Sequence, residues 1–180
     1  MRQPESRHVP LRAMTRMAIL IGLSAAGACV KIPALTGTPA LDSAPGYFAA
    51  LALGAGQGAV VAALGHLLTA LTAGFPLGLA LHVLIAAGMA GCAAVVAVAG
   101  KRYLWAGFAV GVLGNGLVFP ALFILLPGFG PAFFTAMVVP LLVASALNLG
   151  LACLSYELVA RAQAWIRVSA RPSPGSQGRP

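Results

Sequence analysis

The stretch "GHLLTALTAGFPLGLALH", residues 65–82, carries two of the chain's three histidines among residues that are otherwise apolar, small or hydroxylated. His66 and His82 stand eight residues to either side of Gly74. Imidazoles can ligate metal, move protons, or exchange hydrogen bonds with a ligand. Two histidines without a third ligand make a poor zinc site, so neither a metal nor a cofactor is expected. Asp42, just ahead of Ser43 and Pro45, can cap a helix by accepting backbone N–H groups, or it can take the hydroxyls or ring N–H of a ligand. Asn115 and Asn148 interrupt apolar runs, where an amide either binds ligand or joins helices. Glu157 and Arg161 have the spacing of an exposed helical ion pair.

These groups require a membrane scaffold. The chain is 60% hydrophobic and 8% charged, against about 25% charged in ordinary soluble domains. Its net charge of +8 does not point to nucleic acid, because the bases flank apolar blocks instead of clustering with polar or aromatic readers. A spanning helix needs about 20 apolar residues. Residues 14–30, 103–126 and 131–156 each supply one such block, and 47–100 has no charged residue at all.

Charge parity gives the count of crossings. The bases group as Arg2 to Arg16, Lys101 with Arg102, and Arg161 to Arg179. If all three groups are cytoplasmic, 14–30 crosses once and 47–100 must cross an odd number of times, with length for three. The expected fold is therefore all-α: a polytopic six-transmembrane-helix bundle, residues 14–165, with both termini cytoplasmic. A basic segment, 1–13, precedes it and a disordered cytoplasmic tail, 166–180, follows. Helices are expected at 14–30, 45–54, 57–73, 76–99, 104–126 and 131–165, and the long outer loop at 31–46, with Lys31 the only base left outside. Cleavage of the first block as a signal peptide would break this parity. Cys29, Cys92 and Cys153 lie in separate segments and read as small core hydrophobes.

The hairpin that turns at Gly74 gives both histidines one depth. At 1.5 Å per residue each lies about 12 Å from the outer turn. Ionisable side chains at that depth face a bundle interior or a wet cavity. Small residues at Ala18, Gly22 and Ala26 form a stripe on the first helix, which allows close helix approach within the chain or to a partner. The phosphate-loop pattern G-x-x-x-x-G-K-[ST] is absent, as are H-E-x-x-H and G-x-S-x-G, so nothing points to nucleotide hydrolysis by the chain itself or to those enzyme classes. An integral membrane enzyme built on His66, His82 and Asp42 is the competing reading.

The stretches "ALDSAPGYFAALALG", "GAVVAALGHLLTAL" and "GFPLGLALH", behind a charged N-terminus and a small-residue helix, resemble the substrate-binding S component of an energy-coupling factor (ECF) vitamin transporter, over residues 12–160. The resemblance implies a multi-pass protein of the prokaryotic plasma membrane that captures a vitamin or precursor from outside. It then joins a transmembrane T component and two ATP-binding subunits, and topples to release its cargo. Ala18, Gly22 and Ala26 match the motif that contacts the T component, with glycine in place of the usual middle alanine. The outer loop with Asp42 and Ser43 matches the lid, and the outer halves of the last three helices would line the pocket. The implied substrate-binding residues are Asp42, Ser43, Tyr47, His66, His82 and Asn115. The loop and hairpin are most similar to members assigned to alpha-ribazole, a cobalamin precursor, with Phe119, Phe123 or Phe133 walling its aromatic base. Riboflavin, pyridoxine or pantothenate are the alternative cargoes.

Overall fold

Helices form along the apolar blocks and break where proline or glycine forces a turn. The computed structural model describes residues 11–34 and 39–169. Its elements are α1, Leu11–Gly27, α2, Ala44–Leu53, α3, Ala55–Thr72, α4, Leu79–Arg102, α5, Leu104–Leu113, α6, Phe119–Leu122, and α7, Gly130–Ser169. A π-helical stretch, Gly114–Val118, joins α5 to α6, and a 3-10 turn, Phe123–Leu125, follows, so Leu104–Leu125 is one rod. Among the described residues there is no strand, only an isolated antiparallel bridge between Lys31 and Ala40.

Four rods have the length and hydropathy of a membrane span: α3, α4, Leu104–Leu125 and α7. At ten residues α2 is too short, and the 17-residue α1 carries Arg12 and Arg16. The short helix has a structural explanation, because Ala44, Gly46, Tyr47, Ala49 and Ala50 are all buried by its neighbours. A helix that is apolar all round belongs inside. Its Gly46 and Ala50 meet Ala62 and Gly58 of α3 at backbone contact, and a Cβ on Gly46 would come within 2.8 Å of the Ala62 Cα. Gly54, at φ 104°, makes the reversal between the two helices, a conformation that glycine adopts without steric cost.

Several boundaries differ from the sequence expectation. α1 stops at Gly27 rather than at residue 30 because the chain leaves the helix to build a ribbon. The Ile32 N–H donates to the Pro39 carbonyl and the Leu41 N–H to the Val30 carbonyl. α4 begins at Leu79 rather than 76, since the turn needs positive φ at Gly74, Phe75 and Gly78. α7 runs four residues past its expected end at 165, to Ser169. Residues 1–10 of the basic segment and 170–180 of the tail lie outside the described residues. With 40 residues, α7 is about 60 Å long, twice the hydrocarbon thickness of about 30 Å. Its far stretch is exposed from Glu157 onward, and there Arg161 pairs with Glu157 at 3.1 Å.

The buried core joins α2, α3, α4 and α7 through Tyr47, Ala62, Met89, Val96 and Leu149. Above it, residues 39–43 of the loop ahead of α2, the α3–α4 hairpin, the Leu104–Leu125 rod and the start of α7 enclose a cavity.

Candidate ligand-binding site

The two histidines meet. His66 Nε2 and His82 Nδ1 lie 3.2 Å apart across the α3–α4 hairpin, and Phe75 from the turn stands edge-on to the His82 ring, centroids 5.6 Å apart. One shared hydrogen links the rings, so one donates and the other accepts. His82 is fully buried, and its Nε2 has no partner. His66 lines the cavity and His82 stands behind it.

The cavity encloses about 90 Å³ between apolar walls that include Ile85, Met89, Met137 and Leu141. Pockets for drug-sized ligands begin near roughly 300 Å³, so a vitamin-sized ligand must push side chains or the 39–43 segment outward. Phe119, Phe123 and Phe133 supply an aromatic wall, with Phe123 and Phe133 stacked at 5.7 Å.

Asp42 reaches the cavity from the ribbon and is 7% exposed. The Ser43 hydroxyl donates to its Oδ1 at 3.2 Å. Desolvation raises the Asp42 carboxyl above its ordinary range, against the opposing pull of the Thr69 and Ser43 hydroxyls and of the Lys31 charge. Asp42 is not the cap of α2. That task falls to Asn148, whose Oδ1 accepts from the Ser43 N–H at 3.0 Å and the Ala44 N–H at 2.8 Å. Its Nδ2 donates to the Ala40 and Ala144 carbonyls, both at 2.8 Å. The Asn148 amide is thus fully occupied. It ties the ribbon and the start of α2 to α7, and it lies at the cavity wall.

Asn115 stands in the π-helical stretch, and Pro120 accounts for that stretch. Proline offers no N–H to the Gly116 carbonyl and its ring crowds it, so the helix widens just before it. Such bulges recur at functional sites. Asn115 Nδ2 donates one hydrogen to Ser145 Oγ at 2.9 Å, which leaves its second amide hydrogen and its side-chain oxygen without a bond to this serine, and the residue lines the cavity.

Of the six expected substrate-binding residues, Asp42, Ser43, His66 and Asn115 line one cavity. Tyr47 and His82 do not. Tyr47 is fully buried, with its hydroxyl against Cys92 Sγ at 3.6 Å, because the tight α2–α3 packing turns that face of α2 inward. His82 is screened by His66.

The family model for the ECF transporter, substrate-specific component, matches residues 12–160. The chain belongs to this family. It is a membrane-integral transporter subunit, not an enzyme. No curated protein and no solved structure matches it. On this S component Ala18, Gly22 and Ala26 are all exposed along the outer face of α1. A Cβ on Gly22 would meet nothing within 4 Å. Ala26 also borders a shallow apolar groove with Phe48 of α2 and Leu151 of α7. Sequence reasoning offered Asn148 as a helix-joining amide but missed which groups it holds, because its long-range partners are 104 to 108 residues away in the chain. A signal for the π-helical stretch was present in the sequence, as Pro120 four residues after Gly116.

Proposed function

We propose that this S component captures a vitamin or vitamin precursor from the outer side and passes it inward with a T component and two ATP-binding subunits. The observation that carries this reading is the convergence of Asp42, Ser43, His66 and Asn115 with an aromatic wall in one cavity bordered by Pro39 and Ala40. In this reading all six rods belong to the membrane domain, with both termini cytoplasmic in a prokaryotic plasma membrane. The exposed Ala18, Gly22 and Ala26 stripe is the face for the T component, since small residues let helix backbones approach closely in lipid. Alpha-ribazole is the best-fitting cargo. Phe119, Phe123 and Phe133 suit its fused aromatic base, Asp42 its ribose hydroxyls, and His66 its ring nitrogen.

The test is equilibrium binding to the detergent-purified chain, titrating alpha-ribazole beside riboflavin, pyridoxine, pantothenate, thiamin and cobalamin. One tight, stoichiometric ligand is expected. Absence of binding by folded protein, or ATP-independent transport by this chain alone, would overturn the capture role. A tight ligand other than alpha-ribazole would keep the role and replace the cargo.

A further inference from the structure

We infer that the cavity selects by charge: it accepts neutral or cationic aromatic cargo rich in hydrogen-bond donors and rejects phosphates and carboxylates. The inference rests on the capture role proposed above and adds the charge class of the cargo.

Asp42 is the only charged side chain among the described lining residues. The part of the loop outside the described residues, 35–38, reads "LTGT" and brings no charge. Lys31 is exposed on the ribbon and acts on Asp42 from outside the cavity. The other described bases are remote in the fold: Arg12 and Arg16 open α1, Lys101 and Arg102 close α4, and Arg161 and Arg167 lie on the far stretch of α7.

The hydrogen-bond inventory points the same way. The Ser43 hydroxyl hydrogen is spent on Asp42. Both Asn148 amide hydrogens go to backbone carbonyls, and Asn115 directs one of its two Nδ2 hydrogens to Ser145. What remains for cargo is weighted toward acceptors, the Asp42 carboxylate and the Asn115 carbonyl oxygen, against one Asn115 N–H, with His66 able to act as either donor or acceptor. Cargo must bring most of the donors. An anion would have to sit against the Asp42 charge or force a proton onto it, with no cation to replace its lost hydration. A neutral polyol or a cation does neither.

Like charges brought together in a desolvated site cost several kcal/mol, and each 1.4 kcal/mol is tenfold in affinity, so the discrimination should be about a hundredfold or more. The experiment measures the dissociation constants of matched pairs on the purified full chain: riboflavin and its 5′-phosphate, thiamin and thiamin monophosphate, pyridoxamine and its phosphate, alpha-ribazole and its 5′-phosphate. Pantothenate and biotin serve as carboxylates. For whichever parent binds, the phosphate should bind about a hundredfold more weakly, and Asp42→Asn should narrow that ratio by about tenfold. A phosphate that binds as tightly as its parent, a carboxylate as the tight ligand, or a ratio unchanged in folded Asp42→Asn overturns the charge selection while leaving the capture role intact. If folded wild-type protein binds nothing, the capture role falls and the inference with it. Should Asp42→Asn fail to fold, the wild-type ratios alone decide.

Discussion

Asn148→Ala isolates the device that holds the cavity together. The substitution leaves the Ser43 and Ala44 N–H groups at the start of α2 without their acceptor, and the buried Ala40 carbonyl without its donor. The Ala144 carbonyl keeps its helical partner in α7, so three backbone groups are orphaned. Each buried orphan costs about 1–3 kcal/mol, and losing a helix cap alone costs about 0.5–2 kcal/mol. Some tilting of the ribbon and entry of water offset part of this, so the expected destabilisation is about 2–4 kcal/mol. Equilibrium unfolding in mixed micelles reads it directly. Ser145→Ala, which loses only the bond from Asn115, is the control and should cost about 1 kcal/mol or less. If Asn148→Ala costs no more than Ser145→Ala, the ribbon is held by something other than this amide and the trans-cap argument is wrong. Ligand affinity should fall with stability, because Ala40, Asp42 and Ser43 reach the cavity from the released segment.

Gly22→Leu should leave ligand binding unchanged, since nothing lies within 4 Å of a Cβ there, and should abolish co-purification with the T component; assembly at wild-type level would remove the stripe from the interface. Burial raises the Asp42 carboxyl above 3.8, so folding favours its protonated form, and its contribution to stability is fully present below 3.8 and lost as pH rises through the folded-state value. Asp42→Asn should therefore flatten the stability-against-pH curve on that side, and an unchanged curve would contradict the desolvation argument. His66→Ala should weaken cargo binding about tenfold, about 1.4 kcal/mol, whereas Tyr47→Phe should leave affinity unaltered. Equal losses from the two would mean that Tyr47 reaches the cargo after all.

Much of the scaffold was legible in the sequence because hydrophobic length and turn chemistry are local. The charge-free run from 47 to 100, the turn at Gly74 and the basic clusters fix where helices run and reverse, and the equal spacing of His66 and His82 about Gly74 anticipates their meeting at 3.2 Å. Asp42, Ser43, His66 and Asn115 were recognisable as polar groups too costly to leave unexplained in so apolar a chain. The tertiary structure decided which polar groups are free. Asp42 and Asn148 are alike in sequence as polar groups with either a ligand or a structural role, yet packing occupies the whole amide of Asn148 with backbone and leaves the Asp42 carboxylate beside the cavity. Tyr47 and His82 were withdrawn from the cavity by the rotation of α2 and α4 against their neighbours, which depends on where Gly46, Gly58 and Ala62 permit backbones to touch. Sequence determines polarity and helix length because both are properties of neighbouring residues. Helix rotation and hydrogen-bond occupancy are set by contacts between residues far apart in the chain, and only the folded structure specifies them.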